Sequence, residues 1–524
     1  VERDARGTLR RSRVRRYALA ALVLGVMGGV LAPPLVAEVQ VLKETPSTYV
    51  YPVDGHIPFN IHRGTPTLLS LMLPGTSFQD PQGVCCALLK STDDPKDPLD
   101  DVELTVLGMN SDAGELFYNV GLRTLKKMGT VGKGTQQFQK PMGVALHPSG
   151  VAAVADTGNH RLVLLQHDGY RLTWVRSVGR RGARAGEFDG PFGVAFDSLG
   201  NLYVTDRGNH RLQRMDKKGA WTILPIQGLE SPTGLAVIDR ADPWTFYTTG
   251  VYADRLAVID RGGTRLQTFT LEGRLLSVVA AAEGDAPLDL RYCAFDYFGH
   301  LVATDGKKGA LRKFDRDLKP LAVFGESGEG DYQFQDPRGV CLNKQLGQMV
   351  VAERSSVQYL WVGADALHLR AEAGSMSVTF RFYLTEPAYL TAEVRGEGET
   401  KKYVVADNIM MDERERALVW TPPEGTPAGD YRLTLSVMAT YSSRDRLAKR
   451  LSLPFTLDPT EGAAFLSPGK VDDEGGTTSG NGKTLGQALS EVRKAKAMTP
   501  TPTPTPERTL GQALQAERAT AAGL

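Results

Sequence analysis

The sequence predicts an all-β chain in which six repeats of short strands precede a block of longer strands and a tail without regular apolar patterning. Three observations carry this expectation. A Pro-x-Gly opening recurs along the first two thirds of the chain, the runs that follow it are rich in β-branched residues and bounded by glycine, and the C-terminal segment turns to Gly, Ser and Thr-Pro runs. At 524 residues the chain exceeds one ordinary hydrophobic core, so two or three domains are expected. Its 56 glycines suit many short strands joined by tight turns better than a helical bundle. Lys and Arg total 61 against 60 Asp and Glu, which leaves no global field to gather nucleic acid or an anionic membrane.

Residues 1–37 read as a targeting segment. Arg10, Arg11, Arg13, Arg15 and Arg16 precede an uncharged apolar run from Tyr17 to Leu31, followed by Pro33-Pro34 and a small residue, Ala37, suited to cleavage. A permanent span needs roughly 20 apolar residues, so a cleaved signal peptide is expected, with a retained N-terminal anchor as the alternative and the only expected membrane contact. The initial Val suggests a non-ATG start and a bacterial source. Export would place the chain in the periplasm, on the cell surface or outside the cell. Residues 38–66 form an N-terminal extension.

The repeats occupy residues 67–363. Phe138-x-x-Pro141-x-Gly143-Val144-Ala145 recurs as Phe188-x-x-Pro191-x-Gly193-Val194-Ala195. Each is followed by a glycine turn, a β-rich run and then Asp156-x-x-Asn159-His160-Arg161-Leu162 or Asp206-x-x-Asn209-His210-Arg211-Leu212. Phe78-x-x-Pro81-x-Gly83-Val84-Cys85 and Phe334-x-x-Pro337-x-Gly339-Val340-Cys341 repeat the opening, and Pro232-x-Gly234-Leu235-Ala236 and Arg291-Tyr292-Cys293-Ala294 fill the gaps, giving six units. Runs such as Asn201–Thr205 make short strands, with Gly150, Gly200 and Gly299 in the turns.

These motifs resemble the NHL-repeat family, which implies a six-bladed β-propeller with one four-stranded antiparallel blade per unit. The last unit ends one strand short at Gln358–Val362, whereas Thr67–Leu73 reads as a spare strand that would complete the last blade and close the ring. Cys85, Cys293 and Cys341 align with Ala145, Ala195 and Ala236, a small-residue position on the innermost strand, and no CxxC pair is present, so neither disulfide stapling nor a thiol metal site is expected.

Residues 366–457 change to longer alternating strands, Ser377–Tyr383, Tyr389–Val394, Ala417–Trp420 and Tyr431–Val437. Their order, with Glu386-Pro387-Ala388 and Pro427-Ala428-Gly429-Asp430-Tyr431 between them, is similar to the Ig-like domain of flagellar hook-capping proteins and implies a β-sandwich. Residues 458–524 read as a flexible tail. Its Thr-Pro spacer, 499–506, separates two copies of one hexapeptide, Thr484-Leu485-Gly486-Gln487-Ala488-Leu489 and Thr509-Leu510-Gly511-Gln512-Ala513-Leu514. Thr three residues before Gln is a helix capping box, and the leucines share one face, so the copies read as paired docking peptides for a protein partner.

Propeller enzymes of similar architecture, lactonases and an amidating lyase, build metal sites at one end of the channel. The residues between Pro and Gly should lie near that mouth, and here they read Gln82, Met142, Phe192, Thr233, Leu290 and Arg338, without His or carboxylate. No metal or other cofactor is expected, and no catalytic residues. His160 and His210, with Asp156, Asn159, Arg161, Asp206, Asn209 and Arg211, read as a structural repeat signature whose Asp and Arg tie strand ends. His56, His62, His147, His167, His300 and His368 show no ligand spacing. Arg180, Arg181 and Arg184 read as a solvated loop, and Trp244 and Trp361 as blade core, with a sugar-stacking role as the alternative. The function expected is a non-enzymatic interaction scaffold of a cell-envelope or cell-surface assembly. The alternatives are a lyase- or lactonase-like metalloenzyme and a carbohydrate-binding surface protein.

Overall fold

The computed structural model describes residues 49–50, 63–91, 104–121, 124–243, 254–281, 287–374, 376–441, 448–457 and 472–473. The targeting segment, His56, His62, Trp244, the Thr-Pro spacer and both Thr-Leu-Gly-Gln-Ala-Leu copies lie outside them. Among the described residues no helix is long and apolar enough to cross a membrane.

Six sheets form a closed ring of blades. Blade 1 comprises Pro81–Ala87, Thr105–Asn110, Glu115–Val120 and Thr124–Met128; blade 2 Val144–Leu146, Val151–Asp156, Arg161–His167 and Leu172–Val178; blade 3 Pro191–Phe196, Leu202–Asp206, Arg211–Met215 and Trp221–Ile223. Blade 4 comprises Leu235–Ile238, Arg255–Asp260, Arg265–Phe269 and Leu275–Ala280; blade 5 Leu290–Phe295, Leu301–Asp305, Ala310–Phe314 and Pro320–Phe324. Blade 6 has Val340–Asn343, Gln348–Ala352 and Val357–Val362. The turns at Gly150, Gly200 and Gly299 have φ of +88°, +87° and +81°, which glycine adopts without a Cβ penalty.

The ring is closed by the N-terminal part of the chain, but not by the expected strand. Tyr49–Val50 and Arg63–Gly64 both pair antiparallel with Val357–Val362. Thr67–Leu73, expected from the sequence to form that strand, instead falls in and caps an α-helix, Pro66–Met72. Pro66 supplies its first turn and the Thr65 hydroxyl caps it by accepting from the Leu68 N–H, a start signal that outweighs the apolar run behind it.

Successive blades touch through their innermost strands at the repeat glycine. A Cβ on Gly83 would lie 2.6 Å from the Met142 carbonyl, and one on Gly234 would lie 2.8 Å from that of Arg291. Gly143 meets the Phe192 carbonyl in the same way, Gly193 that of Thr233, and Gly339 that of Gln82, which returns the ring to blade 1. The residues between Pro and Gly are therefore Gln82, Met142, Phe192, Thr233, Arg291 and Arg338.

In unit five the sequence alignment is out by one residue. Leu290 pairs with Asp305 as Pro191 pairs with Asp206, so Leu290 occupies the proline position and is buried, Arg291 takes the channel position, and Tyr292 stands where the other blades have glycine. By the same register Ala294, not Cys293, matches Ala145 and Ala195, and Cys293 matches Val194.

After Val362 the chain enters two packed sheets. One is Ala366–Ala373, Val378–Leu384 and Arg414–Trp420; the other runs Lys402–Met411, Ala388–Gly396, Gly429–Ala439, Lys449–Leu457 and Asp472–Asp473. Strict inside-outside alternation along Ala388–Gly396 and Gly429–Ala439 sends Leu390, Val394, Leu433 and Leu435 into a core with Phe380, Phe382, Trp420 and Phe455. This sandwich is fused to the propeller rather than tethered to it. One continuous apolar cluster joins Tyr297, Phe298, Leu360 and Val362 of the propeller to Phe382, Leu384 and Tyr441, and the Tyr383 hydroxyl donates to the Leu321 carbonyl at 3.0 Å.

Candidate functional site

The repeat signature builds the corners of blades 2 and 3. Asp156 is fully buried; its Oδ1 accepts from the Gln139 N–H at 2.7 Å, and its Oδ2 accepts from Asn159 Nδ2 and Arg161 Nε, both at 2.8 Å. Asp206 receives Asp189 N–H, Asn209 and Arg211 at 2.7, 2.8 and 2.8 Å. His160 and His210 sit in left-handed backbone, φ 53° and 54°, and their Nδ1 atoms accept from the N–H of Gly190 and of Ser231 in the next blade. Both imidazoles therefore tie adjacent blades. In the basic loop, Arg180 pairs with Glu187 at 3.0 Å and Arg181 with Asp189 at 3.3 Å. Trp361 is buried in blade 6.

The channel mouth is a ring of paired carboxylates and guanidinium groups. Arg338 bridges Asp336 at 3.0 Å and Asp80 of the neighbouring blade; Arg291 bonds Asp289 at 2.9 Å and lies 3.9 Å from Asp336. Gln82 Nε2 donates to Asp80 at 3.0 Å. The three carboxylates lie two residues before Gln82, Arg291 and Arg338, outside the Pro-x-Gly positions from which the sequence predicts the ring.

Across the mouth lies Tyr292. Its hydroxyl is 3.2 Å from both Gln82 Oε1 and the Met142 carbonyl, and its ring centroid is 5.8 Å from that of Phe192. Blade 5 faces blade 2 across a six-fold ring, so a side chain that starts on one and bonds the other spans the axis. Burial holds the phenol protonated, far above its ordinary value. Thr233 supplies a carbonyl that accepts from the Thr205 hydroxyl at 2.8 Å.

A second polar cluster lies at the junction of blade 5 and the sandwich. His300 Nδ1 is 3.3 Å from Asp296 and its Nε2 is 3.3 Å from Glu413; Lys313 Nζ is 3.5 Å from Asp296 and bonds Glu386. All but Glu413 are fully or almost fully buried. Burial pulls His300 down, but Asp296 and Glu413 outweigh it and leave the imidazole above its ordinary value. Burial pushes Glu413 up, and His300 overrides this, holding it at about 2. Lys313 is lowered by burial against the pull of Asp296 and Glu413.

Asp296, His300 and Glu386 bring candidate ligand atoms within 4.8 Å of one another, a donor set suited to a small metal ion. The Lys313 ammonium already stands among them and supplies the compensating charge. Sequence reasoning missed this cluster because Glu386 and Glu413 belong to another domain. Only the Asp-x-x-x-His spacing of Asp296 and His300 was visible.

An NHL repeat matches residues 188–215, the whole signature of blade 3. No curated protein matches the chain. Solved structures similar to it include a catalytically inactive virginiamycin B lyase of Staphylococcus aureus with quinupristin (14% identity, 49% of this chain and 77% of the other, TM-score 0.35). A gluconolactonase of Xanthomonas campestris is 14% identical over 57% of this chain and 94% of its own, with a TM-score of 0.38. Hydrazine synthase of Kuenenia stuttgartiensis is 12% identical over 59% and 80%, with a TM-score of 0.36.

Proposed function

We propose that this chain is a non-catalytic interaction scaffold whose working surfaces are the outer loops of the propeller and sandwich. The observation that carries the reading is Tyr292. It fills the axis at the end where a channel enzyme would seat substrate, and the carboxylates around it are paired with Arg291 and Arg338. A hard cation needs several free oxygen ligands, and here the carboxylates are engaged by guanidinium groups. Continuous packing between the domains supports the reading further, because it presents two sets of loops in one fixed relation.

In this proposal the N-terminal segment exports the chain, the C-terminal domain is of the Ig-like kind that accompanies exported bacterial proteins, and the tail hexapeptides dock a protein partner of the envelope or cell surface. The test is affinity capture from envelope extracts with the full chain and with a chain ending at Leu457. A discrete partner recovered only with the tail supports the docking role. The same partner recovered by both moves recognition to the propeller or sandwich, and no partner with either sinks the scaffold reading.

A second reading is favoured by Asp80, Asp289 and Asp336, which give the mouth the oxygen donors of a propeller metalloenzyme. It requires Arg338 and Arg291 to release them.

A further inference from the structure

Five of the six seams between blades are built to one rule. The small residue of one innermost strand packs against a larger side chain two positions beyond the glycine-neighbouring valine position of the next: Cys85 against Val144 and Leu146, Ala145 against Val194 and Phe196, Ala195 against Leu235 and Val237. Ala236 then meets Cys293 and Phe295, and Ala294 meets Val340 and Leu342. The sixth seam, where the ring closes, departs from the rule. There Cys341 of blade 6 packs in one cluster with Val84 and Cys86 of blade 1, so a thiol faces a thiol across the seam.

We propose that Cys86 and Cys341 form a disulfide that locks the propeller shut across its closing seam. Both are thiols in this structure. Blades 1 and 6 are far apart in sequence and are otherwise joined by noncovalent contact, with Arg63–Gly64 and Tyr49–Val50 holding only the outer edge of blade 6. A bond between innermost strands would hold the same seam from the inside. Cys85 cannot take the place of Cys86, because consecutive strand residues point to opposite faces and Cys85 packs against blade 2. Cys293 lies in the seam between blades 4 and 5, opposite Ala236 and without a second thiol in its cluster.

The oxidant is a low-molecular-weight or protein disulfide. Half-buried Cys86 attacks it as the thiolate and releases one thiol; Cys341 then attacks the Cys86 sulfur of the mixed disulfide and releases the second. Two protein thiols lose two protons and two electrons, and one oxidant disulfide becomes two thiols. Burial holds the Cys341 thiol well above its ordinary value, so the second step is slow and quickens as pH rises.

The test uses the full chain incubated with oxidised glutathione, then alkylated, digested and mapped by mass spectrometry, with melting followed in parallel. Cys341→Ala installs the residue found at the matching position of blades 2 to 5, and Cys86→Val installs that of blade 4, so both variants keep a side chain that other seams already accommodate. The expected result is loss of two of the four thiols, a peptide pair joined through Cys86 and Cys341, and a melting midpoint raised on the order of 5–10 °C, as closure of so long a loop implies. Neither variant should show the link or the shift, and Cys85→Ala should keep both. Glutathione adducts alone, a link through Cys85, or a linked form that melts no higher than the thiol form would overturn the proposal.

Discussion

Blades 3 and 6 solve the same corner problem with residues from different places. In blade 3 the buried Asp206 is held by Arg211, five residues on, whose guanidinium also donates to the carbonyls of Arg184 and Glu187. In blade 6 the buried acid is Glu353, and Ser356 stands where the repeat has arginine. The missing guanidinium comes from Arg63, 290 residues away: it pairs with Glu353 at 3.0 Å and donates to the carbonyls of Glu329 and Gly330, and its Nε lies 3.4 Å from the Ser356 hydroxyl. A repeat that lacks its own arginine is thus completed by the segment that closes the ring. Fold closure and corner chemistry are one event in blade 6 and two separate ones in blade 3.

The largest test of this equivalence is Arg63→Ala. It leaves the Glu353 carboxylate buried without its partner and should cost about 3–5 kcal/mol, the range for breaking a buried pair, matching Arg211→Ala in denaturant unfolding. A loss below about 1 kcal/mol for Arg63 beside a large one for Arg211 would break the comparison.

Lys313→Met comes next and probes the other long-range charge cluster. It leaves Asp296 and Glu386 without their ammonium at a junction that holds two domains together. A loss of roughly 3 kcal/mol is expected, with the sandwich and propeller still melting in one transition in the wild type.

The pH dependence of that junction follows from His300. Its folded value is raised, so its contribution is fully present below the ordinary 6.5 and is lost as pH rises through the folded value. Glu413 is held at about 2, so its contribution is present above its ordinary 4.5 and is lost as pH falls toward 2. Asp296, Glu386, Glu413 and Lys313 are the charged groups around the imidazole. Stability should fall on the alkaline side, by roughly 1.4 kcal/mol for each pH unit between the ordinary and the folded midpoint of the imidazole, and His300→Gln should flatten that limb. An unchanged limb would show that the imidazole carries no proton there.

Tyr292→Phe should have the smallest effect, about 1 kcal/mol for a buried hydroxyl that loses its partners, and it should leave the channel filled. Its denaturant midpoint, compared with that of Tyr292→Gly, separates the hydroxyl from the ring that occupies the axis.

The sequence makes legible whatever is local. Asp206, Asn209 and Arg211 lie within one turn of chain, so their spacing announces both the corner and the blade. Unit five lacks Pro-x-Gly, and aligning it on Cys293-Ala294 displaces it by one residue; only the pairing of Leu290 with Asp305 restores Arg291 and Tyr292 to the mouth. The leucines of Pro66–Met72 suggest a strand, although Thr65-Pro66 carries the helix start. Arg63 with Glu353, Glu386 with Lys313, and Cys86 with Cys341 are products of closure and domain packing, and no spacing in one dimension contains them.

The scaffold reading rests on a filled axis whose carboxylates are paired, and one measurement bears on it directly: metal content of the purified full chain together with turnover of a panel of lactones, for the wild type and Tyr292→Gly. A scaffold should hold no stoichiometric divalent metal, and the wild type should turn over none of the panel. One tightly bound metal per chain with hydrolysis or elimination, lost on substitution of Asp80 or Asp336, would contradict that reading and make the channel an active site.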